Sequence, residues 1–335
     1  FNYDVIVVGA GISGIGAGYH LQEKCPGKSF VIFEGRESFG GTWDLFRYPG
    51  VRSDSDMHTM GYRFKPWLDD KFIADGSSIL DYLKETISEN NLEEKIKYQH
   101  KVVTSSWSSS KSKWTLEVEN LQSGITDKYT CNFLMMCGGY YSYEGGFNPD
   151  FKNEDEFEGP IIHPQKWPED LNYENKKVVI IGSGATAVTI VPAMADKVEH
   201  ITMLQRSPTY FMSAPDKDMI GNFLKKILPQ NTAFFLTRWK NILLGSFFYN
   251  RCIKNPDKVK EYKSGKSPGK EGNINKATLL TIPCIFHIIT DGAGAENISA
   301  AQVQAQIDQL NIDFRNLAGS IDPVAADIEI EFCLA

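Results

Sequence analysis

Paired cysteines, long apolar runs and an excess of positive charge are all missing from this sequence of 335 residues. The cysteines are few and scattered, without a Cys-x-x-Cys pair or the spacing of metal ligands. They are Cys25, Cys131, Cys137, Cys252, Cys284 and Cys333. We expect these thiols to be reduced and mostly buried, which favours a cytoplasmic protein and argues against both a disulfide framework and a zinc site.

The charge balance is acidic, with 35 Lys and Arg against 42 Asp and Glu and a formal net charge of -7. No run of basic residues would neutralise a row of phosphates, so we expect no nucleic-acid partner. The N-terminus lacks a basic region followed by an apolar stretch, and therefore no signal peptide is expected.

The longest apolar-rich segment, residues 234–252, is interrupted by Arg238, Lys240 and Arg251. It falls short of the uninterrupted span that a transmembrane helix needs. We predict a helix packed on the cofactor domain, with weak, peripheral attachment to a membrane interface as the alternative.

A glycine-rich turn near the N-terminus is the first motif that indicates a binding site. Residues 4–8 are a β-branched run typical of a buried parallel strand, and the turn Gly-Ala-Gly-Ile-Ser-Gly leads from it into a helical stretch. Gly9 permits the tight turn, Gly11 leaves room for a pyrophosphate, and Gly14 lets the helix pack closely on the strand. The context predicts a dinucleotide-binding turn.

A second turn of the same kind, Gly-Ser-Gly-Ala-Thr-Ala, follows another predicted buried strand at residues 177–181. Its candidate cofactor contacts are Gly182, Ser183, Gly184, Ala185, Thr186 and Ala187. Alanine is tolerated at the third small position because only close helix packing is required there. Two such turns predict an α/β chain with two Rossmann-like domains.

The residue that ends the next strand differs between the two turns. The strand at residues 29–34 ends on Glu34, which is placed to bind the ribose hydroxyls of an adenosine. The strand at residues 201–205 is followed by Arg206 and Ser207. A guanidinium there can bind a 2'-phosphate bidentately, so the second turn is predicted to prefer NADPH over NADH.

Residues 39–56 contain too many Gly, Pro and polar residues to form one regular element, and long loops of this kind often carry function. Gly41 and its neighbours Gly40 and Thr42 would let the backbone approach a flavin ring, with Trp43 against its face. The alternative for Trp43 is a core aromatic.

Residues 157–168 lie between the two turns and carry the pattern Phe-x-Gly-x-x-x-His-x-x-x-Trp-Pro. The residues in register are Phe157, Gly159, His163, Trp167 and Pro168. This pattern resembles the fingerprint of type I Baeyer-Villiger flavin monooxygenases. Trp167 separates it from the sister N-oxidising flavin monooxygenases, whose connector usually lacks a Trp there.

The segment at residues 40–67, with the words GGTWDLFRYPG, RSDSD and GYRFKPW, resembles the ethionamide-activating branch of these enzymes. The resemblance implies FAD contacts in and around this segment and the first turn. The candidate residues are Ser13, Glu34, Gly41, Thr42, Trp43, Asp44 and Asp54, with the backbone of Val102 beside the adenine. Arg52, Ser53 and Asp54 would lie where flavin and nicotinamide meet.

Three residues are candidates for catalysis by this resemblance: Asp54, His163 and Trp167. In the family the connector is thought to couple the motion of the domains, so we assign His163 to positioning and not to proton transfer. For Asp54 the alternative is a turn-capping carboxylate on a surface loop.

The resemblance implies an enzyme in which NADPH reduces FAD and the reduced flavin uses O2 to oxygenate a small ketone or a sulfur-containing substrate. An N-oxidising monooxygenase or an uncoupled NADPH oxidase is one alternative. A non-catalytic, nucleotide-binding remnant is the other.

We predict an FAD-binding part at residues 1–147, an NADP-binding part at residues 148–261 and a linker at residues 262–276. Residues 277–335 are a predicted small α+β segment, with strands at residues 281–289 and 326–333 and a helix at residues 299–310. They resemble the start of a pappalysin-like zinc metallopeptidase domain in the words IPCIFHII and DIEIEFCLA, without its His-Glu-x-x-His motif. The chain thus resembles the first half of a monooxygenase, its FAD domain incomplete, joined to an unrelated fragment. From that resemblance we expect impaired activity.

Overall fold

The computed structural model describes residues 1–149, 151, 154–205, 217–254, 280–283 and 330–333. The chain divides into two compact units, Phe1–Asp170 and Leu171–Ala335. The connector at residues 157–168 lies in the first unit. The predicted domain boundaries stay predictions.

A six-stranded sheet forms the first unit, in the order β3-β2-β1-β6-β5-β4. Its strands are β1 (Asn2–Val8), β2 (Phe30–Phe33), β3 (Ile96–Lys97), β4 (His100–Ser108), β5 (Lys113–Asn120) and β6 (Ile125–Met136). Strands β3, β2, β1 and β6 run parallel, whereas β4, β5 and β6 form an antiparallel meander. The parallel part brings the carboxyl ends of β1, β2 and β6 to one edge of the sheet.

The core of this sheet is made by side chains of β1, β2, β5 and β6. The buried residues that form it are Ile6, Val31, Phe33, Leu116, Val118, Tyr129 and Cys131. All four residues of β2 are buried, as expected for a parallel strand covered on both faces.

Four helices belong to the first unit: α1 (Ile12–Lys24), α2 (Thr42–Leu45), α3 (Met57–Met60) and α4 (Gly76–Glu89). Helix α1 connects β1 to β2, as the glycine turn predicts. Helix α4 buries Ile79, Tyr82, Leu83 and Ile87, the spacing of one helix face. The short helices α2 and α3 lie within the predicted loop region, which is not one regular element.

The second unit begins with a β-α-β arrangement. Strands β7 (Lys177–Ile181) and β8 (His200–Leu204) pair in parallel, and helix α5 (Ala185–Met194) connects them. Helices α6 (Met219–Ile227) and α7 (Gln230–Lys254) follow. Strands β9 (Leu280–Pro283) and β10 (Ile330–Cys333) form a separate parallel pair. No helix in the described part of the chain is long and apolar enough to cross a membrane.

The prediction that residues 177–181 form a buried strand is right for the strand and wrong for its burial. Val179 is 53% exposed and Ile181 is 58% exposed. Side chains alternate between the two faces of a strand, and no described residue covers this face of the two-stranded sheet. The expectation of mostly buried cysteines is also wrong for Cys25, which is exposed.

Much of the predicted C-terminal segment lies outside the described residues, as does the predicted linker at residues 262–276. Strands β9 and β10 fall within the predicted strands at residues 281–289 and 326–333, apart from Leu280. The predicted helix at residues 299–310 is not described. The resemblance to a metallopeptidase fragment stays a prediction.

We expect Gly14→Ala to destabilise the first unit, because a Cβ at Gly14 would overlap the carbonyl oxygen of Gly9. Forced overpacking of this kind costs about 2 kcal/mol or more of unfolding free energy. A urea denaturation midpoint measures the change. Gly27→Ala is the matched control, because a Cβ there has no atom within 4 Å. Equal midpoints for the two variants would contradict the packing described.

Candidate functional site

The first glycine turn is held between strand ends by close backbone contacts. Gly9 has a φ of +102°, and a Cβ on it would lie 2.5 Å from the carbonyl oxygen of Cys137, at the end of β6. Gly9 N donates to the carbonyl of Phe33, the last residue of β2, at 2.7 Å. The roles predicted for Gly9 and Gly14 in the tight turn and the close helix packing agree with this geometry.

Helix α1 begins directly after Gly11, and no side chain caps its N-terminus. A Cβ at Gly11 would meet only Gly41 Cα, at the ordinary contact distance of 3.7 Å. The backbone N–H groups of the first turn of α1 are therefore open to an anion.

A pocket lies over this helix N-terminus and is closed by the loop of α2 and by the segment after β6. Its lining residues are Gly11, Ile12, Ser13, Gly40, Gly41, Thr42, Trp43, Cys137, Gly138, Gly139, Tyr141 and Tyr143. The structure thus brings together five predicted cofactor contacts from two separate stretches: Gly11, Ser13, Gly41, Thr42 and Trp43. Gly40 N donates to the carbonyl of Ala10 at 3.0 Å, which ties the loop to the turn.

Glu34 lies at the carboxyl end of β2 and is 1% exposed. Its carboxylate accepts from Ala10 N at 2.7 Å and from Arg36 N at 3.0 Å. Its backbone carbonyl accepts from His100 N at 2.8 Å, at the start of β4. Val102 lies two residues further along β4 and is half-buried. The two residues predicted beside an adenosine thus lie close to the point where the segment after β2 is hydrogen-bonded to the start of β4.

Asp44 is buried and is held by two guanidinium groups. Arg36 Nη1 lies 2.8 Å from Oδ2 and Arg47 Nη2 lies 2.7 Å from Oδ1. Ser38 Oγ also donates to this carboxylate, and Arg36 donates to the carbonyl of Gly41 at 3.4 Å. Through these contacts, Asp44 holds the glycine loop, which contains Gly40 and Gly41, in place. Its predicted contact with FAD stays a prediction.

The three loop residues at 52–54 have different environments. Ser53 is 2% exposed; its N donates to the carbonyl of Ala74 at 2.8 Å and its Oγ accepts from Ala74 N at 3.0 Å. Ser53 therefore anchors the loop. Arg52 and Asp54 are exposed. Their predicted roles beside flavin and nicotinamide stay predictions.

Two tyrosines of the pocket were not predicted as site residues. The hydrogen bond with Tyr140, and then burial, raise the pKa of Tyr141 to about 12. Burial, followed by the charge of Glu34, raises the pKa of Tyr143, whose ring lies 5.5 Å from the Arg36 guanidinium. Both hydroxyls therefore stay protonated near neutral pH and can donate hydrogen bonds to a ligand. The Gly-Gly-Tyr-Tyr sequence at residues 138–141, after β6, is the signal that could have indicated Tyr141.

The connector packs on the segment that follows β6. Gln165 is 6% exposed and its side-chain amide donates to the carbonyl of Ser142. His163 Nδ1 accepts from Gln165 N at 3.2 Å, and its ring lies directly against Gly146. These contacts fit a positioning role for His163. Trp167 is half-buried, and the catalytic roles of His163 and Trp167 stay predictions.

The second turn has the same local form. Gly182 has a φ of +124°, and its N donates to the carbonyl of Leu204, at the end of β8, at 2.7 Å. Gly184 precedes α5 without a side-chain cap, and a Cβ there has no atom within 4 Å. Ala187 is 5% exposed, so the third small position packs in the unit as predicted. Arg206 and Ser207 lie outside the described residues.

Comparison with known proteins gives a match to the family model described as Flavin-binding monooxygenase-like, over residues 2–262. The chain belongs to this family. FAD-containing monooxygenase EthA of Mycobacterium tuberculosis (strain ATCC 25618 / H37Rv) is 51% identical over 259 residues, which are 77% of this chain and 53% of the relative. Probable FAD-binding monooxygenase AlmA of Acinetobacter baylyi (strain ATCC 33305 / BD413 / ADP1) is 49% identical over 260 residues, 77% of this chain and 52% of the relative.

The chain spans about half the length of the curated relatives it matches. Among solved structures, an oxidised steroid monooxygenase bound to NADP has a TM-score of 0.56 at 30% identity. The match covers 63% of this chain and 40% of the chain of the steroid monooxygenase. A cyclohexanone-bound cyclohexanone monooxygenase has a TM-score of 0.55 at 27% identity, and the match covers 62% of this chain and 40% of that enzyme's chain. These findings confirm the α/β fold class and the resemblance to Baeyer-Villiger enzymes and their ethionamide-activating branch.

We expect Asp44→Asn to destabilise the first unit, because it leaves the guanidinium groups of Arg36 and Arg47 without their carboxylate. Breaking a largely buried ion pair of this kind costs about 2 kcal/mol of unfolding free energy, measured by urea denaturation. Asp54→Asn, in the same loop but exposed, should change it by less than about 0.5 kcal/mol. A destabilisation of the same size in both variants would show that Asp44 does not lock the loop.

Proposed function

We propose that this chain binds FAD at the first turn and NADPH at the second, and that it acts as a monooxygenase of Baeyer-Villiger type. The observation that carries the proposal is the pocket over the N-terminus of α1, where a glycine cradle, a helix N-terminus and a buried acid converge. NADPH as the preferred donor rests on Arg206 in the sequence. A small ketone or a sulfur-containing compound, with O2, is the proposed substrate class.

The residues of the first unit fit an FAD group. Gly11 presents no side chain to the pocket, so a pyrophosphate can approach the backbone N–H groups of α1. Glu34 directly follows β2, the strand next to β1, where the ribose of a bound adenosine would lie. Trp43 and Tyr141 line the far part of the pocket and offer aromatic surface to a flat ring.

A bound flavin would accept a hydride from NADPH and activate O2 for transfer of one oxygen atom to the substrate. The residues of this chain supply binding and orientation for that chemistry. The α1 N–H groups hold negative charge, and the Asp44 ion pairs fix the loop that carries Trp43. The hydroxyls of Tyr141 and Tyr143 stay protonated and serve as hydrogen-bond donors.

Coupled oxygenation also requires that water be kept from the reduced cofactor. Within the first unit, the connector packs on the segment that carries Tyr141 and Tyr143 through Gln165 and His163. Movement of the connector would therefore move one wall of the pocket. We assign His163 and Trp167 to this positioning role. Asp54 is exposed in the loop at residues 52–54, and we assign it to the place where flavin and nicotinamide would meet.

We expect Gly11→Ala to weaken FAD binding about tenfold or more while leaving stability nearly unchanged. The added Cβ would meet only Gly41, at ordinary contact distance, but it would occupy the path of the pyrophosphate. FAD affinity is measured by flavin fluorescence, and stability by urea denaturation. Gly27→Ala is a control for added bulk outside the pocket, with no atom within 4 Å of its Cβ. Equal FAD affinity in both variants would contradict the site.

The activity itself is tested by NADPH consumption with the purified, FAD-supplemented chain, with and without a cyclic ketone. Ester formation supports the Baeyer-Villiger function. Peroxide release without ester supports an uncoupled oxidase, and N-oxide formation from an amine supports the N-oxidising alternative. Protein that binds FAD and NADPH without consuming NADPH would be the non-catalytic form.

Alkylation of Cys137 provides a test that does not depend on activity. Burial raises the pKa of the Cys137 thiol, so we expect it to react with iodoacetamide more slowly than the exposed Cys25. Because Cys137 lines the pocket, FAD should slow its alkylation further and leave Cys25 unaffected. Mass spectrometry of the two peptides measures both rates. Loss of the FAD effect in Gly11→Ala would link the protection to the pocket, whereas equal protection of Cys25 would contradict it.

A further inference from the structure

Helices α6 and α7 form a hairpin, and small and polar residues contribute to the contact between them. Gly221 of α6 is buried, and a Cβ on it would lie 2.9 Å from Thr237 Cγ2 of α7. Asp218 caps α6 by accepting from Gly221 N at 2.8 Å, and it also forms an ion pair with Lys240 of α7. Gly221, Thr237 and the ion pair of Asp218 with Lys240 are therefore among the contacts between the two helices.

The apolar side of α6 faces away from this contact. Met219, Ile220, Phe223 and Ile227 lie on one helix face and are 58–81% exposed. An amphipathic helix of a globular protein normally places such a face on the core. Here the arrangement is reversed, with the glycine side inside and the large apolar side outside.

Helix α7 extends this apolar surface. Trp239 is 47% exposed, and residues 242–251, 253 and 254 of the same helix are exposed. The large apolar residues among these are Ile242, Leu243, Leu244, Phe247, Phe248, Tyr249 and Ile253, each at least 36% exposed. A surface of this extent marks an interaction site.

The charge of the hairpin indicates what covers it. Residues 217–254 contain seven basic residues and one acidic residue, in a chain whose net charge is -7. The basic residues are Lys217, Lys225, Lys226, Arg238, Lys240, Arg251 and Lys254. Lys217 and Lys226 are exposed beside the apolar face of α6. A second copy of this hairpin would bring like charges together, whereas an anionic lipid surface complements both its charge and its apolar residues.

We propose that the α6–α7 hairpin is an interfacial anchor that binds the surface of an anionic lipid bilayer. The apolar residues of both helices enter the interface, and the lysines beside them contact lipid phosphates. Neither helix crosses the bilayer. A flavin monooxygenase held in this way would meet apolar substrates at the membrane surface.

Vesicle co-sedimentation of the full chain tests the anchor. We expect binding to vesicles of mixed phosphatidylcholine and phosphatidylglycerol, weakened by high salt, and little binding to phosphatidylcholine alone. Phe223→Ser should weaken binding about tenfold. The matched control is Phe133→Ser in β6, because both phenylalanines are 60% exposed. Equal weakening by the two variants, or equal binding to the two vesicle types, would overturn the proposal.

Quenching of tryptophan fluorescence by brominated anionic lipid locates the contact. Trp239 of α7 and Trp107 of β4 are each 47% exposed. We expect Trp239→Phe to remove most of the lipid-dependent quenching and Trp107→Phe to leave it. The opposite result would overturn the proposal. A chain that dimerises without binding vesicles, with dimerisation lost in Phe223→Ser, would assign the surface to a second copy instead.

Discussion

The first unit depends on the close approach of three backbone segments at one point. Gly14 of α1 lies against the carbonyl of Gly9, and Gly9 lies against the carbonyl of Cys137 at the end of β6. No side chain fits in either gap, so the strand, the turn and the helix have only one arrangement there. That arrangement leaves the first N–H groups of α1 facing the pocket, which is the geometry on which the proposed FAD site rests.

A backbone hydrogen bond and two ion pairs attach the rest of the pocket to this turn. Gly40 is tied to the turn by a backbone hydrogen bond, and the glycine loop is held from behind by Asp44 and its two arginines. The buried carboxylate of Asp44 holds both guanidinium groups, and moving it away would leave buried charge without its partners. The loop is therefore positioned before any ligand binds, which lowers the entropic cost of binding.

Local patterns in the sequence predicted the strands, the turns and the helices that bound them, because glycine spacing and hydrophobic periodicity act over a few residues. The pairing of Asp44 with Arg36 and Arg47, and the place of Tyr141 and Tyr143 in the pocket, depend on contacts between separate elements and were not predicted. The exposure of β7 was missed because a β-branched run does not reveal how many strands or helices cover it. The exposure of α7 was missed for the same reason, because the apolar segment at residues 234–252 was expected to pack on the cofactor domain, whereas residues 242–251 are exposed.

The assignment of one cofactor to each turn is the central claim, and amide hydrogen exchange tests it most directly. The purified chain is compared alone, with FAD and with NADPH, and exchange is followed by mass spectrometry. The account predicts that FAD slows exchange at residues 9–14 and 40–43 and leaves residues 182–187 unchanged, while NADPH slows exchange at residues 182–187. Protection of neither turn by FAD, or protection of the second turn and not the first, would contradict the account.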